Sequence, residues 1–389
     1  MRATLIRALA AATVLALPPS AGHATVADDL CGALDDPCVL AAKIAVDPGS
    51  TLDFGARTFR IAAGASLTWS DDLTILAGAC EVEAGAKLVE SKQLSSGTGF
   101  LHLTCTSTTL AGAVTTAGAG VLVEGDGPHL ISGKVQAKGD QVGVVAVDSY
   151  GLPGHITVTG KIQAKSKAGT PPGEFRLVSN FGDVAIGEKA KIQLKGLTAD
   201  PFSEFLIVVA HSGTLTIDGQ IDARAKIGGY GWNLEANQDV TLGLKSKIKA
   251  DTKETGSEIA INSQSGTVRL EGKIQAKAKA VLGGDGGRVH VCAADDVLLS
   301  GKASIDTSSG FSGSIILGAG DRAIVGELPV FGTIKLYSKD DGDIEVCGGT
   351  VGNIISSRAK VVPDAEAEGQ TGECLSPTSQ VFFELDCNQ

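Results

Sequence analysis

The chain has 389 residues, and 51 of them are Gly, roughly twice the usual ~7% share. Aromatic residues make up 4%, charged residues 20% and hydrophobic residues 43%, with a formal net charge of −11. That composition excludes disorder and collagen, argues against nucleic acid as a partner, and contains no apolar run of the ~18 residues a membrane-spanning helix needs.

Residues 1–24 read as a signal peptide. Arg2 and Arg7 precede the short apolar run Ala8 to Leu17, and Pro18, Pro19 and Gly22-His23-Ala24 supply a break and small residues. Residues 25–50, with Asp28, Asp29, Asp35, Asp36 and Pro37, have the composition of an N-terminal cap. All eight cysteines follow the leader, as a disulfide framework requires. The expected bridges are Cys31–Cys38, Cys80–Cys105 and Cys374–Cys387. Cys292 and Cys347 fall in one column two turns apart with Gly318 between, about twice the ~4.8 Å strand spacing. They are expected to stay reduced and buried.

The strongest signal is an internal repeat. Gly133-Lys-Val-Gln-Ala-Lys138, Gly160-Lys-Ile-Gln-Ala-Lys165 and Gly272-Lys-Ile-Gln-Ala-Lys277 are nearly identical, and weaker copies begin at Ala190, Gly219, Ser246 and Gly301. The starts are about 28 residues apart. Each period holds two further alternating runs, such as Glu258-Ile-Ala-Ile261 and Thr267-Val-Arg-Leu270. Alternation with a period of two marks strands with one buried and one wet face. Three strands per period without crossover helices predict a parallel β-helix over residues 51–350, in roughly ten or eleven turns, followed by a C-terminal cap over 351–389. The inward columns are expected to read Val135, Ile162, Ile192, Ile221, Ile248, Ile274, Ala303 and, two residues on, Ala137, Ala164, Leu194, Ala223, Ala250, Ala276, Ile305.

Runs of Gly-Lys-Ile-x-Ala after Asp-Val-x-Leu-x-Gly resemble the exported β-helices of the filamentous haemagglutinin and polymorphic outer membrane protein type. The resemblance covers roughly residues 100–350 and is one of repeat grammar. It implies right-handed coiling and a secreted or surface protein of structural or adhesive role. Nothing after the repeats reads as a translocator barrel or wall anchor. A soluble monomer that is secreted, periplasmic or at the cell surface is expected.

Charge is unevenly spread. Between Gly133 and Lys302 the chain carries 21 Lys and Arg against 18 Asp and Glu, a net of +3, which leaves −14 for the rest. The outward positions of the repeat read Lys134, Lys161, Lys191, Gln220, Lys247, Lys273 and Lys302. Lys138, Lys165, Lys195, Arg224, Asp251, Lys277 and Asp306 follow four residues later. Gln136, Gln163, Gln193 and Gln275 lie between. This Lys/Gln face either solubilises a flat sheet or docks an anionic polysaccharide or cell-envelope glycan, with Lys134, Lys161, Gln163, Lys191, Gln193, Lys247, Lys273 and Gln275 as binding residues.

The competing reading is a pectate-lyase-like lyase or a glycoside hydrolase on the same coil, which requires clustered carboxylates with an Arg. Asp71-Asp72, Asp295-Asp296, Asp340-Asp341 and Asp343 are the candidates. Each precedes a strand, so they read as turn residues. Gly283-Gly-Asp-Gly-Gly-Arg288 reads as a bend before a strand opened by Arg288, and Tyr230-Gly-Trp232 as a solvent-facing lid. The spacing of Cys and His suggests no metal site, and no cofactor is expected.

Overall fold

The computed structural model describes residues 25–91, 99–140, 142–166, 173–196, 204–225, 229, 231–253, 255–278, 286–308, 313–330, 334–338, 343–348, 352–355 and 359–362. They form a parallel β-solenoid of about 27 residues per turn. Apart from one short helix, Ala27–Leu30, the described elements are strands. Each turn contributes a strand to three parallel ladders. The first ladder includes Gly120–Gly125, Val144–Ser149 and Phe175–Ser179, and the second His129–Ile131, Ile156–Val158 and Val184–Ile186. These two merge into one 23-stranded sheet, because Leu73–Val82 and Phe100–Leu110 each run on from the first ladder into the second.

The third ladder carries the Gly-Lys-Ile repeat and is a separate sheet of 13 strands. Eleven of them lie between residues 51 and 350. Lys43–Ala45 stacks ahead of these and Ala359–Val362 behind. Strand stacking therefore begins inside the stretch read as an N-terminal cap. Ahead of the strands, Ala27 is buried and Leu30 packs on the core, while Arg57 holds Asp28 at 3.1 Å.

Like residues stack in register. Val135, Ile162, Ile192, Ile221, Ile248 and Ile274 form one buried column, and Ala137, Ala164, Leu194, Ala223, Ala250 and Ala276 the next. β-branched residues suit this pleated, two-sided packing. The Gly that opens most copies of the repeat has a steric cause. A Cβ on Gly133 would stand 2.0 Å from the Gly112 carbonyl oxygen, and one on Gly160 would stand 2.1 Å from that of Gly133. In the last copy the expected columns shift: Ile305, not Ala303, continues the column after Ile274, and Ser304, not Lys302, follows Lys273. Gly301 turns the chain at φ 63°, and the strand starts two residues later than the repeat suggests.

Rings are fewer than aliphatics, and several sit inside. Trp69, Phe54, Phe59 and Phe175 are fully buried, and Phe54 stacks on Phe59 with centroids 4.6 Å apart. Trp232, expected in a lid, is instead 2% exposed within the strand Gly231–Ala236, where its position in the first ladder points it inward. Tyr230 lies outside the described residues. Cys31–Cys38 and Cys80–Cys105 are bridged as expected, with Cα separations of 5.6 and 5.9 Å. Cys292 does not stay reduced: it is disulfide-bonded. Gly318 stands between it and Cys347 in the register, so Cys347 is two strand spacings away, beyond disulfide reach. Cys347 is half-buried. The signal peptide, Asp340-Asp341, Cys374 and Cys387 lie outside the described residues.

Candidate functional site

The outward face of the third ladder is a lysine column far longer than the repeat reveals. Lys43, Lys87, Lys134, Lys161, Lys191, Lys247, Lys273, Lys335 and Lys360 share one register position, interrupted by Ser66, Ala113, Gln220 and Ser304. A second column four residues along each strand reads Lys138, Lys165, Lys195, Arg224, Asp251 and Lys277.

The two columns behave differently along the coil. On the turns of Lys134–Gly139, Lys161–Ser166 and Lys191–Lys195 they form a grid of six lysines. None of the six makes an ion pair with a described residue. Rows are about 4.8 Å apart and the two columns about 13 Å apart, from the rise of an extended strand. Lys134, Lys138 and Lys191 are exposed, and Lys161, Lys165 and Lys195 half-buried. From Gln220 onward, acids enter the face. Arg224 pairs with Asp222 at 2.9 Å, Lys249 with Asp251 at 2.7 Å and Lys277 with Asp306 at 2.5 Å. Lys247 and Lys273 therefore lie on compensated turns, and Gln275 sits between Lys249 and Asp306 in the register.

The glutamines between the columns do not all face outward to a ligand. Gln163 is 3% exposed and donates its amide N–H to Gln193 Oε1 at 2.6 Å. It links two turns, while Gln136 and Gln193 are half-buried.

A second cluster lies on the first ladder of these turns and of the one before them, where sequence reasoning placed none. Glu124 and Asp148 are register partners. His102 Nε2 lies 2.7 Å from Glu124 Oε1, and the Thr104 hydroxyl is 3.1 Å from the same nitrogen. Arg176 grips Asp148 through both carboxylate oxygens, at 2.9 and 2.5 Å, and reaches Glu174 at 3.2 Å. That grip, above all its hydrogen bond to Asp148, raises the Arg176 pKa. Burial, with the Asp148 and Glu124 charges, pushes the Tyr150 phenol up. Tyr150 and Phe181 are exposed at bends on successive turns. Asp148 itself is 1% exposed, so Glu124 and Glu174 are the carboxylates open to solvent. The signal for this cluster was the outward positions of the first strand in each turn, whose letters vary from turn to turn.

The aspartates at the bends are turn residues. Asp72 Oδ1 accepts from Phe100 N at 2.9 Å, Asp183 from Thr214 N at 2.8 Å and Asp239 from Thr267 N at 2.8 Å, each donor standing on the next turn. Asp296 is held by Arg322 at 3.0 Å, and that hydrogen bond keeps its carboxyl below the usual range. Among the described residues no three His, Cys, Asp or Glu side chains gather as metal ligands, and no helix is long and apolar enough to cross a membrane. No family model, curated protein or solved structure matches the chain.

Proposed function

We propose that this chain is an exported, disulfide-bearing β-solenoid module of structural or adhesive role that docks an anionic polysaccharide on the lysine grid of three consecutive turns. The carrying observation is that Lys134, Lys138, Lys161, Lys165, Lys191 and Lys195 stand together without an ion-pair partner among the described residues. Stacked like charges cost stability, and a polyanion lying along the coil relieves that cost. Disulfides persist in oxidising compartments, which, with the leader-like residues 1–24, supports a secreted, periplasmic or cell-surface location. The resemblance of the repeats to those of filamentous haemagglutinin-type proteins points the same way.

A polyuronate is the probe. Binding at low ionic strength should weaken steeply as salt rises through about 0.1 M, where the screening length falls to about 10 Å. Replacing all six grid lysines by Gln should abolish it. Lys247→Gln with Lys273→Gln, on compensated turns, should leave most of it. Undiminished binding by the sixfold variant would sink the reading. The cluster of Glu124, Asp148, Glu174, Arg176 and His102 favours a second reading, a glycan-cleaving enzyme. It predicts release of reducing or unsaturated sugar ends that Glu124→Gln eliminates.

A further inference from the structure

The space between the two lysine columns has a shape and a chemistry of its own. The register position midway between them holds Gln136, Gln163 and Gln193 on the three successive turns. Gln163 is 3% exposed and bonded to Gln193, so this floor lies below the longer lysine stems on either side. The result is a trough with cationic walls and neutral amides beneath. The walls stand about 13 Å apart, and their stems occupy about 4 Å of that, so roughly 9 Å stays clear, enough for one sugar ring. On the next turn the floor position is Asp222, the register partner of Gln193, an acid that ends the run of amides and repels an anion.

Each wall offers one ammonium per strand spacing of about 4.8 Å. In an extended chain of pyranoses joined through equatorial 1→4 bonds, successive sugars advance by close to that distance, and each is turned over relative to the last. With a carboxylate on every sugar, the acids project alternately to the two edges of the ribbon and meet both walls. With a carboxylate on every second sugar, they project to one edge and leave a wall uncompensated. Resting on the docking reading above, we propose that the ligand is a β1→4-linked homopolyuronate lying in this trough along the coil axis, one sugar per turn. Its carboxylates engage the two lysine columns alternately, and its hydroxyls engage the floor, because an amide both donates and accepts hydrogen bonds.

The test is calorimetric titration of the full chain at low ionic strength, with oligomannuronate and with hyaluronate fragments of equal total charge. Oligomannuronate should bind several-fold tighter. Replacing Lys134, Lys161 and Lys191 by Gln, or Lys138, Lys165 and Lys195 by Gln, should each weaken it several-fold, to a similar extent, and flatten its salt dependence. Gln136→Ala, which leaves the Gln163–Gln193 bond in place, should weaken binding with the salt dependence unchanged, because the floor supplies hydrogen bonds and not charge. All these positions face outward, so each variant should keep the parent's urea midpoint to within the small relief of lysine repulsion. Equal affinity for the two polymers, loss on removing only one of the two columns, or an unmoved Gln136→Ala affinity overturns the trough and leaves polyanion docking standing. Undiminished binding by the sixfold lysine variant overturns both.

Discussion

On the same three turns, two faces of the coil treat charge in opposite ways. The third ladder carries six exposed or half-buried lysines with no described partner, while the first ladder binds Asp148 and Glu174 to Arg176, and Glu124 to His102 of the turn before. Backbone, register and period are shared, so the difference lies wholly in which residues fill the outward positions. A buried carboxylate has to be matched, because an unpaired charge out of water is costly. A lysine ammonium on a long stem stays wet and tolerates like neighbours. One face is therefore held by the fold, and the other is left to solvent or to a ligand.

The largest expected effect breaks the paired face. Arg176→Gln leaves Asp148 buried without its cation and should cost about 2–3 kcal/mol, the lower side of what a buried pair loses, since Arg176 keeps part of its surface in water. A fall in the urea midpoint checks it, and an unchanged midpoint would mean the pair does not hold the face.

The next effect depends on pH. His129 is 1% exposed, with the Asp148 and Gly125 backbones beside its ring. Burial holds its pKa below the ordinary value, only partly offset by backbone hydrogen bonds at Asp148 and Gly125 and by the Asp148 charge. The unfolded chain binds the proton more readily, so this contribution is complete above about pH 6.5 and is lost as pH falls below it. His290, on the compensated turns, is lowered in the same direction, with Glu258 opposing. His129→Ile, which continues the column into Ile156, should flatten the acid side of a stability–pH curve. An identical curve would rule the histidine out.

The smallest effect tests the open face. Lys165→Gln removes repulsion from two stacked neighbours and should stabilise by about 0.5 kcal/mol or less, vanishing in high salt. Destabilisation would show that the lysine stems contribute more by packing than they cost by charge.

The solenoid was legible because stacking forces like on like: Val135, Ile162 and Ile192 are one site repeated, and their period shows in the letters. The first turns were harder to see. Lys43, Ser66, Lys87 and Ala113 occupy one register position at shorter, uneven spacings, and long strands there run through a corner without turn residues to mark it. The lysine columns were legible as sequence, but their division into open and compensated turns was not. It depends on whether Asp222, Asp251 and Asp306 reach a cation: Arg224 and Lys249 find theirs two residues away on the same strand, whereas Lys277 meets Asp306 only across strands. The first-ladder cluster was hidden because His102, Glu124, Asp148 and Arg176 share no letter and meet only through register.

The two-residue slip at Ser304 has a wider consequence. Side chains alternate with a period of two, so an even slip preserves the parity of a strand, whereas an odd one turns it inside out. Ile305 therefore enters the core where Ala303 was due and nothing apolar is stranded, yet the outward letters move by one column, placing Ser304 and Asp306 where Lys and Gln stood. Insertions of two at a bend rewrite what the surface says while the interior stays unread. In this coil the message and the scaffold can be edited separately.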